Sequence, residues 1–192
     1  LWTMLAHVHG QLLNASKLGE SLGVSHTTVR AYIDLLAQTF MVRVLPPYEA
    51  NVKKRLIKSP KVYVRDSGIL HALLEIETMN ALMGHPVFGA SWEGLVVENI
   101  LSAWPRCRAW FYRTSAGAEL DLILGHGEKR MAVECKASTA PQLTRGFWNV
   151  LGDLKIDRAL VVAPVNDAYS IAKQVEVVPL SLAIERIGRW LG

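Results

Sequence analysis

The spacing of apolar residues over the first 40 positions predicts three short helices. Apolar side chains recur one helical turn apart in three sets: Leu1, Leu5 and Val8; Leu18 and Leu22; and Val29, Ile33, Leu36 and Phe40. Gly23 gives the second helix an end, and Ser25 stands where the third helix needs an N-cap. The chain therefore begins with two helices, a turn and a third helix.

This order is typical of a helix-turn-helix, whose last helix packs on the other two and projects its first residues outward. β-rich segments at 42–45 and 56–64 follow, on either side of two prolines and a basic run, and we interpret them as a wing. The candidate nucleic-acid contacts are His26, Thr27 and Arg30 in the helix and Lys53, Lys54 and Arg55 in the basic run. Three helices that only pack, or that dock a partner, give the same spacing, so both interpretations stay open.

The second half of the chain has the pattern of a mixed sheet flanked by helices. A connecting segment over 66–88 precedes a helix that starts at Ser91 and ends before Pro105. Three closely spaced strands are predicted at 108–113, 119–124 and 130–137, and their short turns favour antiparallel pairing. A helix near 142–154, strands at 159–163 and 175–178, and a helix over 180–191 complete the pattern. We predict an α/β (α+β) fold with a winged-helix domain at 1–65 and a second domain at 89–192.

Composition narrows the setting of the protein. Its 192 residues are 51% hydrophobic with a mean hydropathy of +0.20, yet no apolar run approaches the roughly 20 residues of a membrane span. We therefore expect no membrane partner. The presence of only two cysteines and the lack of a secretory signal favour a location in the reducing cytoplasm. Because Leu1 already lies in a predicted helix, we expect the natural protein to continue upstream.

The charge is unevenly distributed along the chain. Residues 1–65 hold nine Lys and Arg against three Asp and Glu, whereas residues 66–192 hold twelve against fourteen. A basic first half suggests a polyanionic partner, because phosphate neutralisation supplies most nonspecific affinity for nucleic acid. A solvated basic surface is an equally good explanation of the charge alone.

Carboxylates in the predicted strands suggest metal-assisted phosphodiester chemistry. Alternation over 131–137 puts Glu134 and Lys136 on one face and Cys135 on the other. In 119–124 it sends Asp121 and Ile123 to one face and Leu120, Leu122 and Leu124 to the opposite face. A carboxylate inside an apolar strand costs several kcal/mol unless it is paired or metal-bound. We therefore predict that Asp121 and Glu134 bind Mg²⁺ or Mn²⁺, and that Lys136 orients or helps to deprotonate the attacking water.

The remaining chemistry-bearing residues are secondary candidates. Glu93 and Glu98 are about 140° apart around the preceding helix, so only one should reach the site, and we favour Glu93. Arg113 is a candidate phosphate ligand, and Glu119 either joins the site or is an exposed strand start. The six histidines show no zinc-ligand spacing, and the chain has no phosphate-binding loop for ATP.

The chain resembles the C-terminal part of prokaryotic AAA-type ATPases that carry the DUF4143 domain. The matching stretches run in order over nearly the whole chain: LGVSHTTVRAYIDLL, LIKSPKVYVRDSGILHALL, FGASWEGLVVENIL, FYRTSAGAELDLIL and MAVECKAS. The resemblance implies a winged helix followed by a PD-(D/E)XK, restriction-endonuclease-like domain, with the ATPase domain, and hence ATP, upstream of this chain. The family's nuclease pattern falls on Glu93, Asp121, Glu134 and Lys136, and Cys135 stands where an aliphatic residue is more usual.

Three functions are consistent with these features. The first is a DNA-acting, Mg²⁺-dependent nuclease-like protein, for which endonuclease activity itself is an open question. The second is a catalytically silent nuclease fold that serves as a DNA- or protein-interaction module and regulates the ATPase. The third is a winged-helix transcription regulator, and the sequence leaves the oligomeric state open in all three.

Overall fold

Side-chain caps fix the helix boundaries in the first part of the chain, as seen in a computed structural model that describes residues 1–49 and 54–192. Asn14 accepts a hydrogen bond from the backbone N–H of Lys17, and Ser25 accepts one from that of Thr28. Between these two helices Gly23 adopts a left-handed conformation with φ of 67°, which costs glycine little. The predicted order of two helices, a turn and a third helix is confirmed.

Contacts divide the chain into two units. The first comprises Leu1–Leu45 and Ser59–Leu95, and the second comprises Pro46–Lys58 and Val96–Gly192, apart from the residues outside the described ranges. The elements of the first unit, in chain order, are α1 (Trp2–His7), β1 (Gln11–Leu12), α2 (Ala15–Leu22), α3 (His26–Gln38), β2 (Val42–Leu45), β3 (Lys61–Val64), α4 (Ser67–Leu73) and α5 (Met79–Gly84). Helix α6 (Phe88–Ala103) begins in the first unit and continues into the second.

A small antiparallel sheet supports the helices of the first unit. Its strand order is β1-β3-β2, and β2 pairs with β3 from Val42 opposite Val64 to Leu45 opposite Lys61. The buried core beneath it is formed by the apolar positions that the helical spacing identified, including Leu5, Leu18, Val29 and Ile33. Phe40, which was predicted to share this face, is 73% exposed because the helix has already ended at Gln38.

The second unit is a six-stranded mixed sheet with flanking helices, as predicted. Its further elements are β4 (Arg108–Arg113), β5 (Glu119–His126), β6 (Lys129–Cys135), α7 (Arg145–Leu154), β7 (Ala159–Val162), β8 (Tyr169–Ala172), β9 (Val175–Val178) and α8 (Leu180–Leu191). The strand order is β4-β5-β6-β7-β9-β8. The first three strands are antiparallel neighbours, whereas β6, β7 and β9 run parallel. Strand β8, which the sequence did not reveal, pairs antiparallel with β9 at the edge.

The prediction that side chains alternate strictly between the two faces of β5 is wrong. The pairing with β4 advances from Tyr112 opposite Leu120 to Trp110 opposite Ile123, so β5 holds one residue more than β4 there. As a result Leu120 and Ile123 belong to one buried cluster, although a period of two would place them on opposite faces. Such a bulge bends a strand and redirects side chains, and Asp121 lies inside it.

The described residues that follow β2, at 46–49 and 54–58, belong to the second unit and form backbone contacts with strand β4 and the turn after it. Tyr48 N–H donates to Phe111, and Ile57 N–H donates to Arg113, both to backbone carbonyls. The described part of the basic run, Lys54 and Arg55, therefore belongs to the sheet unit, which differs from our interpretation of this run as part of a wing. The residue bounds of the two predicted domains stay a prediction.

Among the residues that the structure describes, no helix has both the length and the apolar character required to cross a membrane.

Candidate functional site

Asp121 and Glu134 lie at the same end of two neighbouring strands. The pairing between β5 and β6 runs from His126 opposite Lys129 to Leu122 opposite Val133, one residue short of Asp121 and Glu134. Both carboxyl groups are buried, with residue exposures of 9% and 8%. Asp121 Oδ2 accepts a hydrogen bond of 2.9 Å from the backbone N–H of Cys135, which fixes this carboxylate beside the end of β6. The structure thus brings the two predicted metal ligands together.

Glu134 has one oxygen that is paired and one that is not. Its Oε1 accepts a hydrogen bond of 2.7 Å from Lys136 Nζ, whereas Oε2 is buried and has no hydrogen-bond partner among the described residues. Burial, together with the nearby negative charges of Asp121 and Glu119, raises the pKa of Glu134 from 4.5 to about 7 despite the Lys136 ammonium. An unpaired carboxylate oxygen in a buried site is normally satisfied by water or a cation.

Lys136 is the cationic member of the cluster. Burial acts to lower the pKa of its ammonium, but the charge and hydrogen bond of Glu134 and the charge of Asp121 outweigh burial, so the pKa is raised. Its side chain keeps 29% of its surface exposed, against 10% for Glu134. Lys136 is therefore a charged group that can contact both the buried carboxylates and a bound ligand.

Glu119 and Arg113 add an ion pair beside this cluster. The two residues are backbone partners across β4 and β5, and Arg113 Nη1 lies 3.5 Å from Glu119 Oε2. Since Glu119 contributes to the raised pKa of Glu134, this pair lies close enough to influence the carboxylates electrostatically. Arg113 remains a candidate phosphate ligand, and its side chain is 39% exposed.

The described part of the basic run, Lys54 and Arg55, borders the end of β4 that carries Arg113. Ser115 N–H donates 2.9 Å to the carbonyl of Arg55, and Leu56 forms a bridge with Thr114. Lys54 forms an ion pair with Asp153 of α7. Arg55 is exposed next to the strand that carries Arg113, so it can reach a ligand bound there, whereas Lys53 lies outside the described residues.

Glu93 lies in the first unit. Its Oε1 accepts hydrogen bonds from Lys61 Nζ at 2.8 Å and from Tyr63 Oη at 2.6 Å, in surroundings that leave 3% of the Lys61 side chain exposed. These partners account for the carboxylate without a metal. Glu98, the secondary candidate, accepts a hydrogen bond of 3.0 Å from Ser102 Oγ on the same helix. The role of either helix carboxylate in the metal site stays a prediction.

The outward residues of α3 are exposed, as the helix-turn-helix pattern predicted. His26, Thr27 and Arg30 all lie on the solvent side of the helix, with Val29 and Ile33 buried beneath it. The same helix also exposes two large apolar side chains, Tyr32 at 49% and Leu35 at 57%. Its surface therefore suits either nucleic-acid contact or the docking of a protein.

The donor set of the cluster fits a hard divalent cation in part. Within residues 1–49 and 54–192, no group of three or more His, Cys, Asp or Glu side chains is arranged to hold a metal ion. Asp121 and Glu134 supply two carboxylates, one of them with the unpaired Oε2. Mg²⁺ commonly binds to one or two protein carboxylates and completes its octahedron with water and substrate phosphate oxygens. Two carboxylates thus meet the minimum that the ion requires.

The sequence pattern identified the three central residues and missed how they are held. Alternating polarity pointed to Glu134 and Lys136, and the charge within an apolar strand pointed to Asp121. Neither signal shows the backbone N–H of Cys135 as the donor to Asp121, because the bulge in β5 depends on long-range pairing. The sequence left Glu119 either in the site or at an exposed strand start, and its charge contributes to the raised pKa of Glu134.

A mixed sheet with two buried carboxylates and a lysine at one end defines an α/β protein with a candidate metal-binding or anion-binding site. Residues 88–183 match the domain of unknown function DUF4143, and the chain therefore belongs to that family. Residues 1–80 match a separate domain of unknown function, DUF8612. The family match thus covers the second half, and the motifs of the first half fall in the other domain.

Two curated relatives extend the comparison. The chain is 40% identical over 178 residues to the uncharacterized protein Mb2031c of Mycobacterium bovis and to the uncharacterized protein Rv2008c of Mycobacterium tuberculosis. In both cases the similarity covers 93% of this chain and 40% of the relative. No solved structure matches the chain.

Proposed function

We propose that the second unit is a divalent-metal-dependent phosphodiesterase of the PD-(D/E)XK, restriction-endonuclease-like type that acts on nucleic acid, most directly on DNA. The observation that supports it best is Glu134, a buried carboxyl group with an unpaired Oε2 beside a second buried carboxylate. A fold that only needed packing would place an apolar side chain there, because isolated charge is costly to bury. The cost is explained if the site binds a cation.

In this proposal Asp121 and Glu134 would hold Mg²⁺ or Mn²⁺. Such an ion neutralises charge on a scissile phosphate and makes bound water more acidic. Lys136, hydrogen-bonded to Glu134 Oε1, orients the attacking water or assists its deprotonation, and it offsets charge on the phosphate. Arg113 and Arg55 lie near the same strand ends, where their cationic side chains can contact flanking phosphates.

The wider context is also a proposal. The chain spans about 40% of the length of the curated relatives it matches, so the full-length relatives contain further sequence. We propose that this includes an AAA-type ATPase domain upstream, which would be the only source of ATP binding. The first unit would then contact nucleic acid through His26, Thr27 and Arg30, all exposed on α3.

The test is cleavage of supercoiled and single-stranded DNA, and of RNA, in Mg²⁺ or Mn²⁺. We expect metal-dependent nicking by the wild type, and its loss in Asp121→Asn and Lys136→Met with DNA binding retained. Lys173→Met is a matched control, because Lys173 is an exposed lysine of the same unit in the turn between β8 and β9. Nicking that persists in both site variants would refute the catalytic assignment.

A second candidate is a silent nuclease fold that acts as an interaction module for the ATPase. The observation that favours it is the donor set, since no third His, Cys, Asp or Glu ligand joins the cluster in the part of the chain that the structure describes. Such a module binds nucleic acid or protein without cleavage and takes up no specific metal ion. Metal uptake therefore separates the two candidates.

A further inference from the structure

A cavity of about 800 Å³ lies in the sheet unit, at the opposite end of β6 from Glu134. Five cationic side chains and two carboxylates line it. The cationic residues are Lys129, Arg130, Lys155, Arg158 and Arg189. At about 3.3 Å per residue, Lys129 at the start of β6 is about 17 Å along the strand from Glu134. This cavity, which we name the basic pocket, is therefore separate from the carboxylate cluster.

Aromatic side chains hold one of these cations in place. The Arg130 guanidinium lies over two rings, 5.9 Å from the centroid of Tyr48 and 5.5 Å from that of Trp110. Its Nη1 donates to the carbonyls of Gly127 and Lys129, at 2.9 Å and 2.7 Å. The planar group is thus fixed before any ligand arrives, which reduces the entropy lost on binding.

Of the other four cations in the basic pocket, one has a carboxylate ion-pair partner and three have none among the residues that the structure describes. Among the described residues Lys129, Lys155 and Arg158 form no ion pair, whereas Arg189 lies 3.6 Å from Glu185. Lys155 and Arg189 are at the ends of α7 and α8, where a positive charge also complements the helix dipole. Lys129 and Arg158 are in or beside strands, and that explanation does not apply to them.

We infer that the basic pocket binds the phosphate backbone of single-stranded nucleic acid, and stacks a base on Tyr48 or Trp190. The identity of the ligand as nucleic acid rests on the proposed function. A cavity of this size accepts a ligand of the size of one or two nucleotides, and its aromatic lining can contact base faces, which a duplex keeps stacked inside. A strand that reached the carboxylate cluster would be anchored about 17 Å away at this second point.

The test compares two exposed arginines of the sheet unit. Arg158→Glu reverses a charge in the basic pocket, and Arg106→Glu makes the same change at an exposed arginine outside it. Neither arginine has an ion-pair partner among the described residues, so both variants should fold, which thermal unfolding verifies. Binding of a fluorescent single-stranded oligonucleotide is followed by anisotropy in EDTA, so that neither metal nor cleavage contributes.

One phosphate contact to a single strand contributes about 0.7 to the salt slope, which near 50 mM salt corresponds to about an eightfold change in affinity. Because Arg158→Glu removes this contact and also adds a negative charge, we expect it to weaken binding by at least that factor and to reduce the slope by at least about 0.7, while Arg106→Glu has little effect. Equal weakening by both variants, no effect of either, or tight binding of AMP without oligonucleotide binding would overturn the inference. A protein that shows this pattern but does not cleave DNA would refute the proposed catalysis and leave the inference standing.

Discussion

Glu134→Gln tests whether the fold forces a carboxyl group into a site that disfavours its charge. The pKa of Glu134 is about 7 in the folded protein against 4.5 as the reference, so between these values the folded state binds more protons than the unfolded state. The contribution of this carboxyl group to the free energy of unfolding is therefore fully present below about pH 4.5 and is lost as pH rises through about 7. A pKa difference of about 2.5 corresponds to a loss of about 3 kcal/mol by about pH 8.

Glutamine keeps the shape of the side chain and cannot ionise, so the variant escapes this loss. Its amide oxygen can still accept the hydrogen bond from Lys136, although that bond is weaker without the charge, and we expect a net gain of about 2–3 kcal/mol near pH 8. For a chain of this length, that gain raises the unfolding temperature by about 4–12 °C. Near pH 5 the variant and the wild type should unfold at nearly the same temperature.

The assay is thermal unfolding by circular dichroism at about pH 5 and about pH 8, in EDTA to exclude divalent cations. Glu185→Gln is the control, because Glu185 is an exposed glutamate of α8 whose i,i+4 pair with Arg189 contributes little to stability. If Glu134→Gln follows the wild type at both pH values, the carboxyl group is not strained by its surroundings, and the argument for a cation there fails.

Three further predictions concern the fold. His9 is 2% exposed and burial lowers its pKa to about 4, so the first unit should lose stability as pH falls from about 6.5 towards 4, and His9→Gln should reduce this loss in an acid titration. In Gly94→Ala the added Cβ would clash with the His9 ring, so we expect urea unfolding to show a loss of about 1–3 kcal/mol. Gly152→Ala adds a Cβ in open space within a helix and should stabilise by about 0.5–1 kcal/mol in the same assay. Phe147→Ala empties a core site in the sheet unit and should cost about 3–5 kcal/mol; a cost below 1 kcal/mol would contradict the packing.

Much of the site was predictable because it depends on local patterns. Glu134 and Lys136 are two residues apart on a regular strand, so alternation alone places them on one face. Asp121 was conspicuous as a charge between leucines. The short turn between β5 and β6 then made the two strands antiparallel neighbours, and the structure pairs them in a register that ends beside both carboxylates.

The features that escaped prediction depend on contacts between residues far apart in the chain. The bulge in β5 arises from its pairing with β4, and it brings Leu120 into the same buried cluster as Ile123, although alternation predicted these two residues on opposite faces. Glu93 is bonded to Lys61 and Tyr63, which are about 30 residues earlier, and no pattern within the helix indicates that choice. The residues around Tyr48 would be extended both in a wing and alongside β4. Only their backbone hydrogen bonds to Phe111 show that they belong to the sheet unit.

A calorimetric titration of the protein with Mn²⁺ near pH 8 tests whether Asp121 and Glu134 form a metal site. We expect saturable uptake in the wild type, loss of that uptake in Asp121→Asn and in Glu134→Gln, and unchanged uptake in Glu185→Gln. Uptake that is absent from the wild type, or equal in all four proteins, would contradict a metal site formed by Asp121 and Glu134.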